Sequence, residues 1–558
     1  MRVVLVNWAR VWDGAGIGGG VNGYAQALAL ELSDLGHEVW WICSGQTYIA
    51  GEPLHVRRQE DWLGVRVLEI INSPVMAPSI VQFKDPGAER SSPELEALFT
   101  RIIGWIEPDV VHFHNVEGLS AGCVKAASGV GRQQSRTAVV YSLHNYHTIC
   151  PQVYLLQGHR HVCHNAEGGA ACARCVQSPD PAETRRQREA EWLPTKAERP
   201  TLRAIREEIR SFVVRNNASD RAPGRVVQGQ DDLIAPMGLH PNADTRGRTA
   251  RVLAEREQQK NPSPTLRVLS NEITPDPSIE SPVNEYGHRR RAMIDALNSC
   301  DAVLAVSDFV SSKFLSMGVR SEILRTQHIG TTLNRVVARR RSLAFAPPPF
   351  DPVRPRPIRM TFMGVNHWYK GLPFFLDTLE TLDPETLAAF HLSIFAQGAD
   401  QTEWMVRRLE PRLAGVRIQY GYDQADIPWI LGGADLGLVP SVWWDNAPQT
   451  VFEFFACSVP VLASAVGGIP DFVKHGVNGM LFRSNDRDDL AAKLRLLAAD
   501  RSILSSLRAN VRPPKDIGEH ARELVGVYAE CVRIRGRDPI DAIRERDVPP
   551  MSSPGVTS

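Results

Sequence analysis

Short, wholly apolar runs alternate along this chain with longer stretches in which apolar residues recur every three or four positions. Val3-Val4-Leu5-Val6 is apolar at four consecutive positions, the pattern of a strand buried on both faces. A glycine cluster follows at Gly14, Gly16, Gly18, Gly19 and Gly20. Beyond it Tyr24, Ala25, Leu28, Leu32 and Leu35 share one helical face, and Gly36 supplies the stop. Val39–Cys43 predicts a second strand; Val110–His114 and Ala138–Leu143 predict two more, each preceded by a helical segment. Ala302–Val306 and a helix from about Asp308 extend the alternation, which implies a parallel sheet covered on both faces.

Between 347 and 357 six of eleven residues are proline, enough to fix an extended connector and a domain boundary. The alternation then restarts, with strands expected at Ile358–Met363, Leu392–Ala396, Val416–Tyr420, Leu436–Val439 and Val459–Ala463. A last helix is expected near 519–532, where Ala521, Leu524, Val525, Tyr528 and Val532 form one stripe. The fold class is therefore α/β, with two Rossmann-like domains. We place the N-terminal domain at 1–345, the linker at 346–357, the second domain at 358–515, a closing helix at 516–535 and a flexible tail at 536–558. Inside the first domain lie a Cys-rich loop (150–175) and a polar insertion (about 176–285). In the insertion, 14 of the 30 residues from 181 to 210 are charged, which predicts exposed helix and irregular chain.

Composition narrows the partners. The 558 residues are 43% apolar and 23% charged, so large cores can form, and 63 basic residues balance 63 acidic ones. That balance argues against nucleic acid as a partner. No apolar run reaches the length of a membrane span, and Met1–Val6 is too short for a signal peptide, so a cytoplasmic location is expected.

Three places carry candidate chemistry. Glycines between a strand and a helix let backbone approach an anion, or form a flexible loop. The second strand ends in Cys43-Ser44-Gly45 with no acid, which disfavours a nicotinamide dinucleotide. Asp445 and Glu453 are separated by seven residues, and Glu453 sits within the apolar Val451–Ala456. A carboxylate in such company needs a partner: a ribose diol, a backbone group or an arginine. Finally, Cys150, Cys163, Cys172 and Cys175 are spaced C-x12-C-x8-C-x2-C, with His159, His161 and His164 nearby. A structural Zn²⁺ clip, reduced structural cysteines and a disulfide pair are the readings open to them.

Asp445-x7-Glu453, the run from Ala456-Cys457-Ser458-Val459-Pro460-Val461 to Gly467-Gly468-Ile469-Pro470-Asp471, and His475-Gly476-Val477-Asn478-Gly479 together resemble the family-4 retaining glycosyltransferases. Gly18-Gly19-Gly20, Leu143-His144-Asn145-Tyr146, Ala305-Val306-Ser307 and Gly364…Lys370-Gly371 agree. The resemblance covers about 1–175 and 290–535 and implies a GT-B fold, two Rossmann-like domains facing each other across a cleft. The chain departs from the family pattern in Asp445 for Glu, Ser458 for Gly and Asp471 for Glu. The Arg usual after Gly364 is absent; the stretch reads Val365-Asn366-His367-Trp368-Tyr369.

By that resemblance, Glu453 binds the donor ribose, Asp445 contacts the transferred sugar, and Lys370 neutralises the diphosphate. Gly18, Gly19 and Gly20 lie against the diphosphate from the other domain. Asn446, Gln449 and Thr450 belong to the donor site, and His144 faces the donor sugar; the bland alternative for His144 is a backbone-bonded histidine at a strand end. His112 and His114 are weaker candidates, and His367 or backbone amides are stand-ins for the missing Arg. Some family members carry a similar Cys-rich loop near the acceptor entrance. The implied reaction moves a sugar from a UDP- or GDP-sugar to a glycan or lipid-linked hydroxyl, with peripheral membrane contact where the acceptor is lipid-linked. No cofactor is required for catalysis: the lone D-x-D, Asp486-Arg487-Asp488, reads as first-turn acids of a helix. The rivals are a nucleotide-sugar epimerase or phosphorylase on the same fold, and a nucleotide-sugar-binding protein without turnover.

Overall fold

The computed structural model describes residues 1–127, 137–191, 271–273, 275–339, 347–351 and 353–535. The core of the polar insertion and the C-terminal tail lie outside them. The N-terminal sheet comprises β1 (Arg2–Val6), β2 (Glu38–Ser44), β3 (His55–Arg58), β4 (Arg66–Ile71), β5 (Val110–Phe113), β6 (Ala138–Leu143), β9 (Ala302–Ala305) and β10 (Leu324–Thr326). A two-stranded hairpin, β7 (Leu156–Gln157) and β8 (His161–Val162), stands apart from it. The second sheet comprises β11 (Ile358–Val365), β12 (Phe390–Gln397), β13 (Gly415–Gln419), β14 (Leu436–Val439), β15 (Val461–Ser464) and β16 (Gly479–Phe482).

Strand order runs β10-β9-β6-β5-β1-β2-β4-β3 in the first sheet and β13-β12-β11-β14-β15-β16 in the second. All pairings in these two sheets are parallel except β3 with β4. Each sheet therefore contains the doubly wound order, with the chain reversing direction across the sheet at β1/β5 and at β11/β14. Crevices at the carboxyl ends of such strand pairs are where α/β sheets bind ligands. The apolar runs become these strands because helices cover both faces: Val3, Val4 and Leu5 are fully buried, as are Leu436, Val461 and Ala463.

The first helix differs from the expected one. It spans Gly14–Asp34 with a break at Gly19, so the glycines lie inside it rather than ahead of it. Gly19 takes φ +62°, a left-handed conformation that a β-carbon disfavours. The helix Ile517–Ile534 packs on the N-terminal domain. Ile517, Ala521, Leu524, Tyr528 and Val532 share one core with Val3, Leu5, Leu28 and Trp41. The helix Pro181–Glu191, at the described edge of the insertion, buries none of its residues. Among the described residues no helix is long and apolar enough to cross a membrane.

Candidate active site

The β11/β14 switch point carries two of the residues singled out by motif. Lys370 follows β11 in the 3₁₀ turn Trp368–Lys370, and Asp445 follows β14 in the loop before the helix Gln449–Ala456. Lys370 Nζ and Asp445 Oδ2 are 2.7 Å apart, with the Lys side chain 33% and the Asp 8% exposed. Ser441 Oγ donates to the same carboxylate oxygen at 3.4 Å. The ammonium also lies 5.4 Å from the centre of the Trp443 ring, within cation–π range.

Two glycines make this approach geometrically feasible. At Gly371 (φ +83°) a β-carbon would sit 1.7 Å from Pro440 O, and at Gly467 (φ +59°) 2.2 Å from Asp445 O. No other residue can occupy either place without moving the chain that carries the pair.

Asp445 stands at the junction of the two domains, and its neighbours are tied across it. Tyr146 OH donates to Trp444 O at 3.0 Å, and Asn446 Nδ2 donates to His144 O at 2.8 Å. Gln449 Nε2 donates to Gly20 O at 3.0 Å. A β-carbon on Gly20 would come within 2.8 Å of that amide, and one on Gly18 within 2.7 Å of Ala9. Gly19 has open space around it. Asn446, Gln449, His144 and Gly20 are thus brought together, whereas Gly18 is a packing glycine against Ala9 and Asn22. Thr450 lies on the same helix, its methyl 3.6 Å from where a β-carbon of Gly364 would stand.

Glu453 occupies the inner part of the helix Gln449–Ala456 and is half-buried. Among the described residues its hydrogen-bond donor is Tyr422 OH, 3.0 Å from Oε2. Desolvation pushes its pKa up to about 7 against the opposing pull of that hydroxyl. A carboxylate with one donor retains capacity for more, which a diol would fill.

His144 is held away from charge. Its Nε2 lies 3.1 Å from His114 Nδ1, and its ring is 4.8 Å from that of Tyr24. Desolvation, then the field of His520, lowers its pKa to about 3, so it is neutral at physiological pH. His112 bridges Tyr528 OH at 2.7 Å and Ser142 Oγ at 2.8 Å; Tyr24 OH meets His520 Nε2 at 2.6 Å. His112 and His114 therefore belong to a buried network that ties the C-terminal helix to the strand ends beneath His144.

That loop is braced by a second buried group. Arg289 donates to both oxygens of Glu89, at 2.8 and 3.0 Å, and to His147 O at 2.9 Å. Burial alone would raise the Glu89 pKa; Arg289 and His147 overcome it and hold the carboxyl below its usual range. His367 stacks on Tyr369 with centroids 5.1 Å apart. Burial, then Lys370, lowers its pKa to about 4. As a neutral ring at pH 7 it does not replace the charge of the missing Arg.

Asp486 caps the helix Arg487–Ala499, accepting from Asp489 N at 3.0 Å, so the D-x-D motif serves the helix terminus. Asp471 accepts from Asp308 N at 2.5 Å, and with His328 these acids bring three ligand atoms within 4.8 Å of one another across the domain junction. Sequence reasoning missed Tyr422, which nothing local links to Glu453. It also missed Asn271, at the edge of the insertion, whose amide donates to Gly467 O at 2.8 Å and accepts from Gly467 N at 2.6 Å.

Two doubly wound domains, each presenting its switch point to the other, define a GT-B protein. Solved structures agree on the fold. Sucrose-phosphate synthase from Thermosynechococcus elongatus matches over 96% of this chain and 100% of its own, at 14% identity and TM-score 0.53. OtsA matches over 95% and 99%, at 12% identity and TM-score 0.51. Residues 18–169 match the family described as Glycosyltransferase Family 4, and residues 357–500 match Glycosyl transferases group 1. The two matches fall in order on the two domains. Among curated relatives, a D-inositol 3-phosphate glycosyltransferase of Geodermatophilus obscurus is 40% identical over 73 residues, 13% of this chain and 16% of the relative. The putative colanic acid biosynthesis glycosyltransferase WcaL of Salmonella typhimurium is 25% identical over 230 residues, 40% of this chain and 54% of the relative. The chain thus spans about half or less of the length of these relatives.

Proposed function

We propose that the protein is a retaining, metal-independent hexosyltransferase. It moves a sugar from a nucleotide-diphosphate sugar, UDP- or GDP-linked, to a hydroxyl of a glycan or lipid-linked acceptor in glycan or polysaccharide assembly. The carrying observation is the Lys370–Asp445 pair at the β11/β14 switch point, 2.7 Å apart and tied to the N-terminal domain on both sides of Asp445. The relative WcaL, named for colanic acid biosynthesis, supports the pathway class.

In this reading the donor ribose hydroxyls donate to Glu453. The diphosphate draws Lys370 Nζ from Asp445 and is neutralised by it as the bond from the anomeric carbon to the phosphate oxygen breaks. Asp445, released from Lys370, accepts from the sugar hydroxyls beside a carbon of oxocarbenium character. The acceptor oxygen bonds that carbon on the face the phosphate leaves, and its proton passes to the departing phosphate oxygen. His144 is neutral and enters as a shape and hydrogen-bonding group, not as a charge. A lipid-linked acceptor would be met at a membrane surface.

A thermal-shift screen of UDP, GDP, ADP and their sugars tests the donor, because stabilisation grows with ligand concentration over its dissociation constant. One nucleotide is expected to stand out, and its sugar to be transferred with retained configuration in excess EDTA. No stabilisation by any of them, or loss of transfer in EDTA restored by Mg²⁺, would contradict the reading.

A further inference from the structure

The segment after β6 is poorly held by regular structure. Between Cys150 and Cys175 it has only the two-residue strands β7 and β8 and short helical turns. Val153, Leu155, His159 and Glu167, none of them glycine, take left-handed φ of 79°, 50°, 55° and 52°. Small irregular modules without a core of their own are commonly stapled by disulfides or metals. Here all nine cysteines of the chain are free thiols.

Cys150, Cys163, Cys172 and Cys175 nevertheless line one cavity, together with Arg290 and Lys313. Donors already point at two of the sulfurs. Cys175 Sγ receives the Gly158 amide at 3.2 Å and Gln152 Nε2 at 3.6 Å, and Cys172 Sγ receives Arg290 Nη2 at 3.3 Å. Arg290 is fixed in turn by its bond to Ile149 O at 2.8 Å. These donors hold the two sulfurs in fixed orientations along the cavity wall. The sulfurs face a shared space but are not drawn to one point. Among the described residues the group of three or more potential ligands within 4.8 Å is Asp308, His328 and Asp471 instead. Rotation about the Cys side-chain torsions would be needed to gather the four.

We propose that Cys150, Cys163, Cys172 and Cys175 bind one soft, tetrahedrally coordinated divalent ion of the Zn²⁺ class, which staples this loop. Four thiolates at C-x12-C-x8-C-x2-C match the donor set of a closed structural site, with no open position for chemistry. The loop so fixed carries Tyr154 to within 5.2 Å of the Tyr369 ring and 5.5 Å of Trp443, and His164 to within 4.9 Å of Trp444. These are the residues flanking Lys370 and Asp445. The ion therefore sets the wall of the candidate active site from the N-terminal side without touching substrate.

The test is metal analysis of the full chain, purified reduced and without chelator. About one equivalent of zinc per chain is expected. Replacement by Co²⁺ should give the intense visible bands of tetrahedral cobalt thiolate, and Cys172→Ser with Cys175→Ser should abolish them. Strong chelators should lower the thermal midpoint and expose the segment near Cys163 to protease. Because the wild-type stoichiometry needs neither a variant nor an activity assay, misfolding of the variant or failure of the transferase reading leaves this result readable. Less than about a tenth of an equivalent of zinc, cobalt bands typical of oxygen and nitrogen ligands, or a disulfide among these cysteines in freshly purified protein would each overturn the proposal.

Discussion

Lys370 Nζ stands 2.7 Å from Asp445 Oδ2, and the two residues come from the ends of β11 and β14, the strands between which the second sheet reverses its winding. The pair holds the charge of each member in place; under the proposed function its separation gives the donor both a cation for phosphate and an acid for sugar. Lys370→Ala is expected to lower kcat about 10²- to 10³-fold, the range seen on removing one group that stabilises developing negative charge. Steady-state rates with the identified donor check this. A change below about threefold would remove Lys370 from the reaction.

Glu453 gives a pH signature. Its pKa lies at about 7 in the fold against 4.5 for an ordinary carboxyl. A raised carboxyl pKa contributes stability below the unfolded value that is lost as pH rises through the folded one. Glu453→Gln removes this dependence. The variant should gain thermal stability relative to wild type as pH rises from about 5 to about 8. A difference that stays constant, or shrinks, across that range contradicts the burial argument.

Four histidines of the network beneath the site act in the opposite direction. His144 and His520 are lowered to about 3 by desolvation, and His112 and His114 lie well below 6.5 for the same reason. Groups facing them are Tyr24, Tyr528, Ser142, Lys515 and Glu523, the last with its carboxylate 3.9 Å from His520 Nδ1. Depressed pKa values contribute stability that is present above the unfolded value and lost as pH falls below it. Each group adds up to about 1.4 kcal/mol per pH unit. Urea midpoints should therefore fall steeply from about pH 6.5 downward, and less steeply in His112→Gln. A midpoint unchanged down to about pH 5 would contradict the network's neutrality.

Ser458 occupies a position the family usually gives to glycine, and the structure supplies the reason. It follows the C-cap of the helix Gln449–Ala456 with φ +56°, exposed. A left-handed residue after a helix is where glycine is favoured. Ser458→Gly is expected to stabilise the protein by about 1 kcal/mol, read from urea unfolding. A loss of stability would show that the serine side chain has a role the backbone geometry does not reveal.

The two-domain α/β architecture was readable because strands buried on both faces leave unbroken apolar runs, as in Val3–Val6 and Leu436–Val439. β3 and β4 escaped notice: His55-Val56-Arg57-Arg58 is a polar edge strand, antiparallel to its neighbour, with no apolar run to mark it. Asp445, Glu453 and Lys370 were legible because their spacing within motifs is local. Tyr422 and Asn271 were not, since a hydrogen-bonding partner dozens or hundreds of residues away leaves no trace in the pattern around itself. The same holds for His520, joined to Tyr24 only by the return of the final helix. The glycine cluster was legible as a close-approach site, but not its division of labour, with Gly20 against Gln449 and Gly18 packed on Ala9.

The central claim is that Glu453 grips the ribose of a nucleotide diphosphate at the junction of the two domains. Calorimetric titration of UDP and GDP into wild type and Glu453→Gln tests it most directly. We predict that one nucleotide binds wild type, more tightly as pH rises through about 7 because the ionised carboxylate accepts the diol, and that Glu453→Gln weakens it by about tenfold or more. Equal affinity of the two proteins for that nucleotide would contradict the account.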